Sequence, residues 1–216
     1  MKRALYVAAA AAALGSTGVQ AAENAVYGGF GTTGFVLGYS RAFSDQFGGR
    51  IEADAFHYSR SFDTDNANYD GKLDFKAAGA FADYYPWRNN WRLSAGLFAG
   101  DNNAEGHGTP KNTTYTSNGV SYTLDGQRLD FKAELPSVRP YLGFGYGSPH
   151  RPNGGLGFFA DVGVTYGRPD VTLTSTVPLP TPDAQARLDD ERKELQDKAD
   201  KLTWFPVVRL GLSYGF

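Results

Sequence analysis

Hydrophobic and polar residues alternate along most of the chain, and the last segment shows the alternation most clearly. One face of this segment carries Trp204, Pro206, Val208, Leu210, Leu212, Tyr214 and Phe216, and the other carries Phe205, Val207, Arg209, Gly211, Ser213 and Gly215. A period of two is the geometry of a β-strand whose two faces meet different surroundings. Aromatic residues at both ends of an apolar face predict a tilted strand that crosses a bilayer of about 30 Å.

Six earlier segments repeat the alternation, at 35–39, 51–55, 73–81, 93–99, 142–146 and 158–166. Bacterial single-chain membrane barrels have an even number of strands, so the seven segments require one more. We assign it to residues 24–32, followed by a turn at Thr32-Thr33-Gly34. A single long first strand from Val26 to Phe43 is the alternative.

The connections between these strands alternate short and long, which is typical of barrels with short periplasmic turns and long extracellular loops. The short ones are 44–47, 86–90 and 148–153, and the predicted extracellular loops are 63–69, 101–136 and 169–201. Residues 115–124 predict a hairpin around Ser117-Asn118-Gly119. Residues 182–202 predict a helix, with Thr181 as N-cap and Pro182 in the first turn.

The first 21 residues have the features of a signal peptide. Lys2 and Arg3 precede an apolar run at 4–14, and Val19-Gln20-Ala21 has the small residues of a cleavage site. The run is too short for a membrane helix, which needs about 20 residues. We therefore expect export, with the mature barrel at 22–216.

Composition narrows the function classes further. The chain has no cysteine, which excludes a lipid anchor at the cleavage site and any disulfide framework. The formal net charge is −2, with no basic patch, so nucleic acid is not an expected partner. Glycine is abundant, with 27 residues, and aromatic residues make up 14% of the chain.

The C-terminal residues Arg209, Gly211, Tyr214 and Phe216 resemble the signal by which outer-membrane proteins reach their barrel-assembly machinery. Alternation alone would also suit a soluble antiparallel sandwich. The export signal and the terminal phenylalanine favour the barrel. The predicted fold is all-β, an eight-stranded antiparallel up-and-down transmembrane β-barrel, and the expected partners are the assembly machinery, outer-membrane lipid and lipopolysaccharide.

The mature chain resembles the small outer-membrane barrels of the OmpA, OmpX and OmpW types. More locally, the segments 34–39 and 140–147 are similar to segments of uncharacterised proteobacterial barrel proteins. The resemblance implies a fold and a location in the cell outer membrane of a Gram-negative bacterium. It implies no mechanism, because small barrels of this kind include passive channels, surface-interaction proteins and lipid-modifying enzymes.

The candidate site is a ladder of charged residues on the faces predicted to point into the lumen. The ladder comprises Arg50, Glu52, Asp54, Arg60, Lys72, Asp74, Lys76, Arg92, Arg139, Asp161 and Arg209. Side chains alone fill the interior of an eight-stranded barrel. Opposite charges there would pair, because unpaired buried charges are costly. The ladder is interpreted as a structural plug, and a narrow polar pathway is the alternative.

His57-Tyr58-Ser59 is similar to the His-x-Ser motif of outer-membrane lipid A deacylases. That chemistry needs an acid to orient the histidine, and no glutamate in the sequence stands out for this role. We expect a non-enzymatic barrel with a structural or surface-interaction role, or a narrow passive channel for small molecules. The alternative is a lipid-modifying enzyme that uses His57 and Ser59. No cofactor and no metal are expected, and the sequence names no extracellular ligand.

Overall fold

The computed structural model describes residues 23–63, 67–110, 114–117, 120–123, 128–147, 154–175 and 182–216. The predicted signal peptide lies outside these ranges. The described residues form twelve strands and one helix. These are β1 (Asn24–Gly31), β2 (Gly34–Ala42), β3 (Phe47–Asp63), β4 (Ala67–Tyr84), β5 (Trp91–Pro110), β6 (Thr114–Ser117), β7 (Val120–Thr123), β8 (Leu129–Glu134), β9 (Val138–Tyr146), β10 (Gly155–Tyr166), β11 (Asp170–Ser175), α1 (Pro182–Ala199) and β12 (Trp204–Gly215).

Eight antiparallel strands close into a ring, in the order β1-β2-β3-β4-β5-β9-β10-β12. The ring closes because β1 pairs with both β2 and β12 along its whole length. The predicted eight-stranded barrel is therefore confirmed. The first two strands are separate, since the chain turns at Thr32-Thr33 and Gly34 has a φ of +96°, which favours glycine.

The two ends of the barrel differ. At one end, which we call the turn end, Asn24 and Phe216 exchange two backbone hydrogen bonds of 3.3 and 2.9 Å. Strands β2, β4 and β9 end there, and β3, β5 and β10 begin there. The opposite end, which we call the loop end, carries the turn between β1 and β2, strands β8 and β11, and helix α1.

Strands continue past the ring at the loop end. Residues of β5 beyond the ring pair with β8, and β8 pairs in turn with β11. We call this part of β3, β4, β5, β8 and β11 the sheet extension. Residues 101–110 and 129–134 of the segment 101–136, and residues 170–175 of the segment 169–201, are therefore strand. Main-chain pairing continues in these residues although the apolar alternation stops.

Other elements of the loop end match the expected local structure. Helix α1 begins at Pro182, as predicted, and ends at Ala199, three residues before the predicted end. The short strands β6 and β7 pair around the predicted hairpin turn. Among the described residues, no helix is both long and apolar enough to cross a membrane.

The outer surface of the ring is apolar. Large side chains such as Phe35, Leu37, Leu142 and Leu156 are between 64% and 75% exposed. Aromatic pairs lie towards the two ends of the ring, with Phe47 near Tyr84 at the turn end and Tyr166 near Trp204 at the loop end. An apolar band flanked by aromatic residues is the surface that a transmembrane barrel presents to lipid.

Candidate functional site in the barrel lumen

Charged side chains fill the lumen of the ring. The buried charged residues are Arg50, Glu52, Asp54, Asp83, Arg92, Arg139, Asp161 and Arg209. Strand geometry explains their position, because alternate residues of each strand point inward and their neighbours meet the lipid-facing surface. Four of the eight are basic and four are acidic, so the enclosed charges balance.

Arg50 lies at the centre of this group. Its Nε is 2.7 Å from Asp83 Oδ2, and its Nη1 is 3.1 Å from Asp161 Oδ2. Its Nη2 donates a hydrogen bond of 3.2 Å to Ser94 Oγ, and that hydroxyl donates one of 2.5 Å to Asp83. One guanidinium thus joins residues of β4, β5 and β10 across the lumen.

Asp161 binds a second arginine. Arg92 Nη2 lies 2.8 Å from Asp161 Oδ1, and Arg92 Nη1 also donates to the backbone oxygen of Gly147. The side chains of Arg92 and Asp161 are 3% and 0% exposed. Charge-assisted contacts of this kind are stronger than neutral hydrogen bonds. They close the turn end of the lumen.

Arg209 completes the group from β12. Its Nη1 pairs with Glu52 Oε1, and Glu52 also accepts a hydrogen bond of 2.7 Å from the hydroxyl of Tyr27. The guanidinium carbon lies between 5.4 and 5.6 Å from the ring centres of Phe81, Phe98 and Tyr141. Arg209 is therefore held by a carboxylate and by three aromatic faces.

We call Arg50, Glu52, Asp83, Arg92, Asp161 and Arg209 the lumen cluster. Phe81, Phe98, Tyr141 and Val207 pack together as a buried apolar layer beside it. The ion pairs and this layer occupy the lumen in the way expected of so narrow a barrel. The arrangement does not leave a wide aqueous passage at the level of Arg209 and Glu52, whose side chains are both 0% exposed.

The predicted ladder needs one correction, on β4. Lys72, Asp74 and Lys76 were expected in the lumen, but they lie on the outer face of the sheet extension, and Lys72 and Lys76 are exposed. Paired residues on neighbouring strands share a face, and Arg50 pairs with Phe81 while Glu52 pairs with Gly79. Because Arg50 and Glu52 point inward, the odd-numbered residues of β4 must also point inward.

Asp54 and Arg139 are buried in the lumen beside the cluster, whereas the ladder residue Arg60 is not. It has the lumen-facing parity of β3 but lies in the sheet extension, where it is exposed. Of the residues in the assembly signal, Arg209 belongs to the lumen cluster, whereas Tyr214 and Phe216 are exposed at the turn end. Gly211 faces the lumen, and a side chain at this position would collide with the backbone of Gly28 and Gly29 in β1.

Sequence reasoning missed three residues of the lumen group. Asp83 and Ser94 could be assigned to the lumen only once the inward face of β4 and its pairing with β5 were known. Tyr27 reaches Glu52 across β2, because Gly38 between them has no side chain in the path of its ring. Asp83 could have been found from two facts together: which residues of β3 face the lumen, and how β3 and β4 are paired.

The His57-Tyr58-Ser59 motif lies in the sheet extension. His57 Nδ1 is 2.8 Å from Asp74 Oδ1, so the structure supplies an acidic partner that the sequence had not suggested. Ser59 pairs in register with Lys72 and, among the described residues, has no hydrogen bond to His57. The His57 side chain is 57% exposed. The nucleophile and base of a hydrolytic triad are therefore not joined here.

Metal-binding groups are also lacking in the part of the chain that the structure describes, where no three His, Cys, Asp or Glu residues are arranged to hold an ion. The positive charges of the lumen come from arginine side chains. The arrangement can hold small polar molecules by hydrogen bonds and fix the strands of the ring to one another.

No protein-family model matches the sequence, and no curated protein does either. Two solved structures have the same fold. CarO of Acinetobacter baumannii is 21% identical, with a TM-score of 0.60 over 93% of this chain and 100% of that one. CarO2 of the same organism is 23% identical, with a TM-score of 0.58 over 91% of this chain and 100% of that one. The chain is thus similar to CarO in its fold as a whole.

Proposed function

We propose that this protein is a closed outer-membrane barrel that presents its sheet extension and helix α1 at the cell surface for a structural or surface-interaction role. The lumen cluster carries the proposal, because its ion pairs and aromatic layer fill the ring at the level where a solute would have to pass. Opposite charges in direct contact offer no free path for ions. The apolar outer surface supports the membrane location, and the likeness to CarO supports the fold.

The sides of the membrane follow from the two ends. The turn end, with both termini, would face the periplasm, and the loop end would face the outside. The polar outer face of the sheet extension lies just beyond the apolar band, at the height of lipopolysaccharide head groups. We propose lipopolysaccharide as its neighbour there, and the barrel-assembly machinery as the partner of the β12 residues Arg209, Gly211 and Tyr214 and of Phe216.

A narrow passive channel is the second candidate, and it rests on a cavity at the loop end of the lumen. This cavity has a volume of about 130 Å³. Passage would require the lumen cluster to rearrange. The lipid-modifying alternative has no support in the contacts of Ser59 or in the comparisons.

Conductance in planar bilayers tests the closed lumen. We expect the protein to show no steady conductance, and we expect the double variant Glu52→Ser with Arg209→Ser to conduct, because it removes one matched pair of charges from the lumen. The control is Lys72→Ser with Asp74→Ser, which removes an outer ion pair of 2.9 Å and should stay silent. Steady conductance by the unaltered protein would refute the closed barrel in favour of the channel.

Removing residues 182–199 tests the surface role separately. The shortened protein should assemble in the outer membrane and keep its heat-modifiable migration on gels, while adhesion or serum resistance of intact cells falls. An unchanged surface phenotype would contradict a role for α1.

A further inference from the structure

The cavity at the loop end of the lumen has features of a binding site. It lies between the lumen cluster and the turn that joins β1 to β2, and its volume is about 130 Å³. Three of its polar lining residues have a side-chain atom that is buried and without a hydrogen-bond partner. These residues are Asp54, Asn102 and Arg139. Buried polar groups without partners are rare and costly, so a group of them around one cavity requires an explanation.

Asp54 and Arg139 are the two buried charges that the lumen cluster leaves unsatisfied. The Thr33 hydroxyl lies beside the Asp54 carboxylate and can satisfy one of its two oxygens, and the nearest cation, Arg209 Nη1, is 3.9 Å away. Arg139 Nη1 donates to the backbone oxygen of Pro136 at 3.0 Å, but its Nε has no partner. Among the described residues, Arg139 makes no ion pair. Both residues are 4% exposed.

Asn102 adds a donor of fixed orientation. Its Oδ1 accepts a hydrogen bond of 3.2 Å from the backbone nitrogen of Lys76, which leaves the Nδ2 group free to donate. The cavity therefore offers an acceptor, Asp54, and two donors, Asn102 and Arg139. Phe75, Phe98 and Val207 line the rest of its wall with apolar surface.

Charge balance determines which ligand fits. The buried charges of the lumen number four of each sign, so a ligand with a net charge would leave one buried charge uncompensated. An uncharged ligand with an N–H end and a carbonyl end satisfies all three polar groups at once. The apolar body of the ligand would contact the apolar wall, with which water forms no hydrogen bonds.

We propose that this cavity binds a small uncharged molecule that carries an amide or urea group on an apolar body. The N–H groups would donate to Asp54, and the carbonyl oxygen would accept from Asn102 and Arg139. This inference goes beyond the proposed surface role and does not depend on it, because binding at the loop end is compatible with a closed or an open lumen.

Calorimetric titration tests the site with three ligands of nearly equal size: benzamide, benzoate and benzylamine. The full protein is used in detergent micelles, and the heat of each ligand with empty micelles is subtracted. We expect saturable binding of benzamide, and binding at least about tenfold weaker for the charged analogues, because each leaves a buried charge unpaired. Absence of benzamide binding, or equal binding of all three ligands, would overturn the proposal.

Variants assign the binding to this cavity. Asp54→Asn and Arg139→Gln should each weaken benzamide binding by about tenfold or more. Because these two variants also change buried charges on which stability depends, a third one leaves the polar groups intact: Ala77→Leu places extra carbon atoms in the cavity. Its control is Ala78→Leu, the neighbouring position on the exposed outer face of β4. If Ala77→Leu folds and binds benzamide as well as Ala78→Leu does, the site lies elsewhere.

Discussion

Arg209 and Glu52 form an ion pair across the lumen, although 157 positions separate them in the sequence and both side chains are fully buried. The pair joins the last strand of the ring to the third, and Tyr27 holds the second carboxylate oxygen from the first strand. Closure of the barrel therefore brings three strands to one carboxylate. This contact links the stability of the ring to the blocking of its lumen.

Breaking this ion pair from one side should be costly. Replacing Arg209 with Met leaves Glu52 charged and buried without its cation, and the expected loss is about 3–5 kcal/mol of unfolding free energy. Replacing both, as Arg209→Met with Glu52→Gln, should lose less than the sum of the single changes. Urea unfolding in detergent micelles, followed by tryptophan fluorescence, measures each variant. Additive effects would mean that the two residues do not act as a pair.

Tyr27 and Gly38 show why glycine is needed at one position of the lumen. Tyr27 and Gly38 are paired in register, and a methyl group on Gly38 would clash with the Tyr27 ring. Gly38→Ala should displace the Tyr27 ring and break its hydrogen bond to Glu52, which lowers the free energy of unfolding by about 1–3 kcal/mol. Gly71→Ala is the control, since its nearest neighbour would be the Arg60 carbonyl oxygen at 3.7 Å. Equal unfolding midpoints for the two variants would contradict this role of Gly38.

The sequence predicted the ring better than it predicted the inside of the ring. In β12 and β10 one face is apolar throughout, so period-two alternation assigns the lumen side directly. In β4 both faces look apolar, because Ala78, Ala80 and Ala82 face lipid while Phe81 faces the arginines. Only the pairing of β4 with β3 decides between the two faces, and pairing is a property of the folded chain.

The lengths of the strands could not be predicted from the sequence either. Residues 101–110 of β5 lack the apolar alternation of a membrane strand, yet they pair with β4 and β8 along most of their length. Polar strands of this kind are stabilised by neighbours that are distant in the sequence. Partners inside the lumen also depend on closure: Asp161 meets Arg50 and Arg92 only when β10 and β3 lie on opposite sides of a closed ring.

The outer face of β4 offers a test of the membrane-facing surface. Ala80 is exposed and pairs in register with Ile51 on one side and Leu97 on the other, both of them exposed apolar residues. Ala80→Arg should therefore lower the free energy of unfolding by about 2–4 kcal/mol, as expected for an arginine deep in the lipid-facing band. Ser59→Arg, on the same outer face but in the sheet extension, should cost little. Reversible unfolding into lipid vesicles measures both, and a tolerated arginine at position 80 would argue against burial of this face in lipid.

Asp130 gives the sheet extension a measurable response to pH. Its carboxylate accepts a hydrogen bond of 2.5 Å from Arg128 Nε and lies 2.7 Å from His107 Nδ1. The hydrogen bond from Arg128, with help from His107, holds the pKa of Asp130 below its ordinary value. A lowered pKa in the folded state stabilises the fold above the ordinary pKa of the group, and the contribution is lost as the pH falls through the lowered value.

Arg128→Gln should raise the pKa of Asp130 towards the value of a free aspartate, since it removes the largest cause of the shift. Titration of the carboxylate by NMR, with labelled aspartate, measures the change. Lys193→Gln, on the exposed surface of α1, is the control and should leave the titration of Asp130 unchanged. An unaltered pKa in Arg128→Gln would mean that His107 alone holds the carboxylate.

Gln196 ties helix α1 to the edge of the sheet extension. Its Oε1 accepts a hydrogen bond of 2.8 Å from the backbone nitrogen of Val171, and its Nε2 donates one of 2.9 Å to the carbonyl of Pro169. These bonds cover main-chain groups at the start of β11, an edge strand that would otherwise be open to other chains. Gln196→Ala should lower the free energy of unfolding by about 1 kcal/mol for each hydrogen bond lost, and it should speed hydrogen exchange at the Val171 amide. Glu191→Ala, on the same helix, should leave that amide protected. Equal exchange at Val171 in the two variants would mean that Gln196 does not protect the edge of β11. The helix would then be held to the sheet by other contacts.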